Sequence, residues 1–283
     1  TQVEKVITNA IMNVTNANPT KVTLLTGVTM ADVSGLTDLL GNNGYEIQQT
    51  DILSGTIDPE TEILILASPM ADLPAESLTK IDEYLDNDGA FDKTFYYFAD
   101  PAQPELPNIE AFLSEWGIGI GDGIVMENDD NKIYQNRSFI DQNFSGSAFA
   151  DGMGNTDGHL YVVQYRPLEQ LLTEYANRTT QVDIASFDTS VLMPFDAASD
   201  WQPTAETEQT SYPAVILGQR TVLENDEKKT STVVAFGSAT IANELFLSGS
   251  VYANAEYLVS MSNTLSGTEN RVIIADKTAG DKV

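Results

Sequence analysis

Three apolar runs between Lys21 and Asp100 decide the fold: KVTLLT at 21–26, EILILA at 62–67 and TFYYFA at 94–99. Each run has the length and composition of a buried strand, and each stops at a turn signal. Apolar residues at helical spacing lie between the runs, and the stretch 45–50 alternates as a further strand. This succession of strands and helices predicts an α/β domain whose open, mainly parallel sheet is flanked by helices.

The chain outside this stretch has two ordered ends and a polar middle. We predict helices over 2–14, within 104–117, over 240–247 and over 253–265, and strands over 124–126, 214–218, 232–236 and 271–275. In the middle we predict strands over 160–165, 182–186 and 190–193, a helix over 167–176 and a loop over 196–211. Residues 1–283 are thus predicted to form one α/β domain. Its core is 1–126 and 213–276, and 127–212 is an insertion that elaborates the sheet.

The charge and the residue types missing from the chain exclude several classes of function. Asp and Glu number 42 and Lys and Arg 14, which gives a formal net charge of −28. Such a surface repels nucleic acid and anionic lipid, so we expect no nucleic-acid partner. The chain has no cysteine, which removes disulfides, thiolate metal sites and cysteine nucleophiles. No apolar run approaches the roughly 18 residues of a membrane span, so the chain as given is predicted to be soluble.

None of the motifs for catalysis or metal binding is complete. His159 is the only histidine, and no Gly-x-Ser-x-Gly turn accompanies it. The glycines over 117–123 alternate without a phosphate-binding lysine, which favours a turn. Asp151, Asn155 and Asp157 resemble part of a calcium loop, but Val162 stands where a bidentate acid is required. Glu127, Asp129 and Asp130 are neighbours that cannot all face one ion. We therefore predict no catalytic residue, no metal site and no cofactor.

The ends of the predicted strands supply the candidate ligand-binding residues, because open α/β sheets bind ligands at the carboxyl ends of their strands. The candidates are Gly27, Val28, Ser68, Pro69, Asp100 and Ser238. Aromatic residues such as Tyr96, Tyr97 and Trp201 could stack on sugars, although strand aromatics are more often core residues.

The order of several short motifs resembles a known family. The motifs are Lys21–Gly27 (KVTLLTG), Gly44–Ile47 (GYEI), Ile63–Pro69 (ILILASP), Ile81–Leu85 (IDEYL), Trp116–Ile118 (WGI), Val233–Ser238 (VVAFGS) and Asn254–Leu258 (NAEYL). Together they resemble the auxiliary components of gliding-motility-type ABC transporters, over roughly 1–126 and 213–276. The resemblance implies a fold similar to class I glutamine amidotransferases, or flavodoxin-like, without the catalytic cysteine. It also implies a membrane-anchored parent protein on the extracytoplasmic face of the bacterial cell membrane, beside an ABC permease and ATPase.

The chain departs from the family at the end of the first strand. The family usually carries Gly-His-Gly-Glu there, and this chain has Gly27-Val28-Thr29-Met30. The resemblance therefore predicts a non-enzymatic binding or scaffolding domain of an ABC transporter auxiliary protein. Two alternatives stay open. One is a carbohydrate-binding module that takes a glycan or small molecule at the strand ends. The other is a hydrolase that uses two of the dispersed carboxylates.

Overall fold

The computed structural model describes residues 19–29, 31–133, 135–154, 158–248 and 251–268. The predicted helix over 2–14 and the predicted strand over 271–275 lie outside these residues, as do Asn155 and Asp157 of the partial calcium pattern. Within the described ranges, no helix combines the length and the apolar character that crossing a membrane requires.

Strands dominate the described part of the chain. They are β1 (Thr20–Thr26), β2 (Tyr45–Asp51), β3 (Thr61–Ala67), β4 (Thr94–Phe98), β5 (Ile118–Ile120), β6 (Ile124–Glu127), β7 (Phe139–Asp141), β8 (Tyr161–Val163), β9 (Leu168–Gln170), β10 (Glu174–Tyr175), β11 (Arg178–Ala185), β12 (Ser190–Met193), β13 (Pro213–Glu224) and β14 (Glu227–Phe236). The α-helices are α1 (Ser34–Asn42), α2 (Ala75–Asp86), α3 (Pro107–Glu115), α4 (Glu244–Leu247) and α5 (Asn254–Leu265).

The main sheet has eight strands in the order β10-β11-β13-β14-β4-β3-β1-β2. The five strands from β14 to β2 are parallel to their neighbours, and β13, β11 and β10 continue the sheet antiparallel. The prediction of a mixed α/β fold with a large, mostly parallel sheet flanked by helices is therefore confirmed.

The central strands are buried on both faces, because helices cover the sheet on both sides. In β3, Ile63 and Ile65 join one apolar cluster, and Leu64 and Leu66 join the other. Helices α1 and α5 contribute to the first cluster, and α2 and α3 to the second. A strand buried on both faces is apolar at consecutive positions, which explains why these runs are visible in the sequence.

The antiparallel part begins with the long hairpin of β13 and β14. Its two-residue turn is Asn225-Asp226, and both residues have positive φ, 51° and 66°. Asn and Asp tolerate this conformation better than other residues with a side chain, and it matches the twist of a hairpin. The predicted strands over 214–218 and 232–236 are the buried halves of these longer strands.

The middle segment 127–212 contributes two strands to the main sheet and several to smaller sheets. β6 pairs with β12, β7 with β8, and β9 with β5. The prediction of a helix over 167–176 is wrong, since β9 and β10 occupy these residues. Leu168 is buried opposite Ile120, and the amide of Leu171 donates to the carbonyl of Gly117 at 2.9 Å. Pairing with distant strands thus overrides the local helical pattern.

The predicted helix over 240–247 is two short turns. A 3₁₀ turn covers Ala239–Ala242, and α4 follows it. Asn243 separates them because its backbone is extended, and its side chain accepts from the amide of Leu245 at 2.9 Å. Asn is a favoured N-cap residue, so the break is encoded locally.

A buried carboxylate ties the middle segment to the core. Asp183 of β11 is 6% exposed and accepts from the Tyr257 hydroxyl at 2.8 Å, the Ser147 hydroxyl at 2.7 Å and the Ala148 amide at 2.8 Å. Burial raises the pKa of Tyr257 well above its usual value, so this hydroxyl remains a donor. One carboxylate therefore joins α5, β11 and the loop at 147–148.

Replacing Asp183 tests this tie. In Asp183→Asn an amide N–H₂ faces donors that the carboxylate accepted, so we expect the free energy of unfolding to fall by about 2 kcal/mol or more. The exposed Asp188 is the matched control, and Asp188→Asn should change it by less than about 0.5 kcal/mol. Denaturant unfolding followed by circular dichroism measures both. Equal stabilities of the two variants would contradict the assignment.

Candidate functional site

The candidate residues from the sequence lie along one edge of the main sheet. Gly27 and Val28 follow β1, Ser68 and Pro69 follow β3, Asp100 follows β4 and Ser238 follows β14. These strands are parallel, so their carboxyl ends meet at this edge, which we call the carboxyl edge. Helix α1 after β1 and helix α2 after β3 cover opposite faces, so the chain leaves these neighbouring strands in opposite directions. Such a switch point is a common ligand crevice.

Here the loops after β1 and β3 pair with each other across that crevice. Thr29 and Pro69 form an antiparallel bridge, and the amide of Met70 donates to the carbonyl of Val28 at 2.7 Å. Val28 and Pro69 are buried as a result. The two loops therefore cover the switch point.

Ser68 has an unusual environment at the end of β3. Its φ is +44°, and the residue is 2% exposed. Its amide donates to the carbonyl of Phe98 at 2.9 Å, whereas its Oγ has no hydrogen-bond partner among the described residues. A left-handed serine with an unpaired buried hydroxyl is costly, and such costs often cluster at functional sites.

Acidic side chains at the carboxyl edge hold backbone amides of the nearby loops. Asp51 Oδ1 accepts from the amides of Leu53 and Ser54, which lower the pKa of this carboxyl. Gly27 has φ of +99°, and a Cβ there would lie 3.1 Å from the Asp51 carboxyl group. The loop after β1 thus approaches Asp51 closely, and glycine permits both the conformation and the contact.

Two further aspartates act in the same way. Asp72 accepts from the amides of Asn108 and Ile109 at 2.9 and 3.1 Å, so it caps the start of α3 from another loop. Asp100 Oδ1 accepts from the amide of Ala102 at 2.7 Å. The amide of Asp100 donates to Gln103 Oε1 at 3.0 Å. These carboxylates are parts of turns and caps.

Ser238 is also part of a turn. It is 1% exposed, and its Oγ accepts from the amide of Thr240 at 3.2 Å and lies 3.0 Å from Thr240 Oγ1. The Thr240 hydroxyl in turn donates to the carbonyl of Val163 at 2.7 Å. Four of the six candidates, Val28, Ser68, Pro69 and Ser238, are thus buried.

A groove of about 640 Å³ opens beside the turn at Asp100, and we call it the Arg166 groove. Gln103, Glu110, Asp122, Arg166 and Phe195 are among its lining residues. The Arg166 side chain is 6% exposed, and its Nη2 lies 3.2 Å from Asp122 and 4.0 Å from Glu110. Its Nε donates to the carbonyl of Gly121 at 3.0 Å. Phe195, 46% exposed, lies with its ring centroid 5.6 Å from the guanidinium carbon.

The sequence reasoning did not single out Arg166 or Phe195. The groove joins loops that are distant in the chain, from the turn after β4 to the loop after β12. The signal in the sequence for Arg166 is its place between a predicted strand and Pro167, in a chain that has few basic residues. The other residues considered from the sequence lie outside this groove. His159 Nδ1 is 2.7 Å from Asp141 Oδ2. Glu127 is buried, and its Oε1 accepts from the amides of Asn128 and Asp129. In the described residues no cluster of three or more acidic or histidine side chains could hold a metal ion.

Removing the Ser68 hydroxyl tests whether it has a partner. We expect Ser68→Ala to leave the free energy of unfolding unchanged or to raise it by up to about 1 kcal/mol, because an unpaired buried hydroxyl is lost. The buried Ser231 is the matched control, since its Oγ donates to Leu85 at 2.6 Å and accepts from the Lys93 amide at 3.1 Å. Ser231→Ala should cost about 1–3 kcal/mol. Similar losses in both variants, measured by denaturant unfolding, would contradict the prediction.

Comparisons with known proteins identify a shared fold. No protein-family profile and no curated protein matches the chain. Among solved structures, it is similar to one described as the mmIFT52 N-terminal domain, with a TM-score of 0.60 and 12% identity over 87% of this chain and 97% of that one. A second, PurLQS from Thermotoga maritima, has a TM-score of 0.39 and 9% identity over 88% of this chain and 100% of that one. The first similarity shows a common fold.

Proposed function

We propose that this chain is a non-enzymatic binding or scaffolding domain of an ABC transporter auxiliary protein, on the extracytoplasmic face of the bacterial membrane. The ordered motifs from Lys21–Gly27 to Asn254–Leu258 support the family, and through it the permease and ATPase as partners. We further propose that this α/β domain has the class I glutamine amidotransferase-like fold. The parallel strands β2-β1-β3-β4-β14 support this, since they follow the 2-1-3-4-5 order of flavodoxin-like sheets.

The observation that carries the proposal is the covered switch point. The loops after β1 and β3 bridge at Thr29 and Pro69, where an enzyme of this architecture would open a crevice. The carboxylates of Asp51, Asp72 and Asp100 each accept backbone amides of neighbouring loops. Carboxylates that hold loop amides in this way support a role for the carboxyl edge as a rigid binding surface. They do not favour a catalytic site that uses acid–base chemistry.

The partner prediction can be tested in cells. The full-length protein that contains this chain is tagged, crosslinked in intact cells and purified from solubilised membranes, and its partners are identified by mass spectrometry. We expect an ABC permease and its ATPase to be enriched over a control membrane protein with an extracytoplasmic domain of similar acidity. Recovery of neither subunit above that control would contradict the proposal.

The Arg166 groove favours a second candidate, a carbohydrate-binding module. An exposed aromatic face at Phe195 can stack on a sugar ring. The guanidinium of Arg166 can donate to sugar oxygens, and Glu110 and Asp122 can accept from hydroxyls. The hydrolase alternative would use the same pair of carboxylates, which both contact Arg166 Nη2.

One screen addresses both alternatives. The purified chain is first screened on a glycan array. Binding of any glycan that is found is then measured with Phe195→Ala, for which we expect about a tenfold loss of affinity because the stacking surface is lost. The control is Leu223→Ala, which truncates a side chain that is 73% exposed on the β13–β14 hairpin. Absence of any glycan binding would contradict the module. Release of reducing sugar that disappears in Glu110→Gln would instead support the hydrolase.

A further inference from the structure

Two segments of the chain that line the Arg166 groove repeat one arrangement. Each places an apolar residue next to an exposed acid: Pro104-Glu105 in the turn after β4, and Phe195-Asp196 in the loop after β12. Phe195 is 46% exposed, so much of its ring is open to a ligand. The apolar lining continues with Pro107, Leu192 and Pro194. The groove therefore offers apolar surface for the C–H face of a ring, with carboxylates beside it.

The guanidinium of Arg166 faces the groove. The three side chains that surround it, Glu110, Asp122 and Phe195, all line the groove. Its Nε and Nη2 donate to Gly121 and Asp122. Its Nη1 donates to none of the described residues, and Nη1 is not one of the buried side-chain atoms that lack a partner. Solvent therefore reaches Nη1, which can donate to a hydroxyl oxygen of a ligand.

The charge of the groove is negative even when Arg166 is counted. The acids in its lining are Glu105, Glu110, Asp122 and Asp196, and Arg166 is the one basic residue there. Glu110 and Asp122 share Arg166. Glu105 and Asp196 are exposed, and neither forms an ion pair within the part of the chain that the structure describes. Two carboxylates without a basic partner thus attract a ligand with positive charge, and an anionic ligand is repelled.

We propose that the Arg166 groove binds glycans whose sugars carry free, protonated amino groups. The C–H face of a sugar ring packs on Phe195, and a hydroxyl oxygen of the sugar accepts from Arg166 Nη1. The ammonium groups pair with Glu105 and Asp196. The charge of the groove disfavours neutral glycans relative to amino sugars, and it excludes glycans with uronic acid, sulfate or phosphate groups. This inference rests on the carbohydrate-binding function proposed for the groove and narrows its ligand class.

Two oligosaccharides with the same backbone test the role of charge. The β-1,4-linked glucosamine hexamer carries amino groups, and its fully N-acetylated counterpart carries neutral amides at the same positions. Each is titrated into the purified chain by calorimetry at about pH 5.5, where the amino groups are protonated. We expect the glucosamine hexamer to bind at least about tenfold more tightly. Equal affinities, or no binding of the glucosamine hexamer, would overturn the inference, whereas the glycan array decides separately whether the chain binds glycans at all.

Hexalysine, acetylated and amidated at its ends, separates the groove from a general attraction of cations to an acidic chain. It carries as many positive charges as the glucosamine hexamer but has no sugar ring. Phe195→Ala should weaken binding of the glucosamine hexamer about tenfold, because the ring loses its stacking surface, and should change binding of hexalysine by less than about twofold. The same change for both ligands would overturn the proposal.

Paired variants locate the charge contribution. Glu105→Gln with Asp196→Asn removes two exposed carboxylates of the groove, and we expect it to weaken binding of the glucosamine hexamer about tenfold. Glu224→Gln with Asp226→Asn removes the same charge at the exposed tip of the β13–β14 hairpin and should weaken binding by less than about threefold. Equal effects of the two pairs would overturn the proposal. Because these titrations need no transporter, their result is independent of the partner experiment in cells.

Discussion

The structure depends on β14, the strand at which the parallel part of the sheet meets the antiparallel part. One side of β14 pairs with β4 in parallel, and the other pairs with β13 along its whole length. Phe236 stacks on Phe98 at 4.3 Å and meets Tyr96 edge-on at 5.5 Å, so aromatic packing locks the junction. Hydrogen bonds of Ser231 also stabilise this junction, since its hydroxyl donates to the Leu85 carbonyl and accepts from the Lys93 amide.

The positions of two arginines follow from the position of β14. Its carboxyl end leads into Gly237, where a Cβ would lie 2.4 Å from the carbonyl oxygen of Arg166. The close approach of these two backbones places Arg166 at the carboxyl edge. The strand's amino half carries β13, and with it Arg220, to the opposite edge. A shift in the register of β14 would displace both arginines together.

The sequence predicted the parts of the fold in which local pattern and burial agree. Strands β3 and β4 are apolar at nearly every position because both faces are covered, and they were predicted within a residue of their ends. The outer half of the β13–β14 hairpin was missed because Gln219, Arg220 and Thr221 are only partly buried. The stretch 167–176 was misassigned because its pairing with β5 depends on residues some 50 positions earlier.

The shared edge of the strand ends was predicted from the sequence, but the arrangement of the loops there was not. Parallel topology brings the strand ends together, so Gly27, Ser68 and Asp100 do share one edge. Sequence could not reveal that the loops there close over the switch point, since a backbone bridge between Thr29 and Pro69 leaves no compositional trace. Nor could it reveal the stacked pair of Trp116 and Arg220, which about 100 residues separate in the chain.

Scarcity of basic residues explains why the two arginines matter. With 14 basic residues against 42 acidic ones, most carboxylates must be satisfied by backbone amides, by neutral side-chain donors or by water. Asp51, Asp72 and Asp183 accept hydrogen bonds from backbone amides and thereby stabilise loops. Arg166, which is nearly buried, and Arg220, which is partly buried, instead lie between pairs of acids at opposite edges. A ligand at either edge must then work with a guanidinium already shared by two carboxylates, which favours neutral or cationic partners over anions at both.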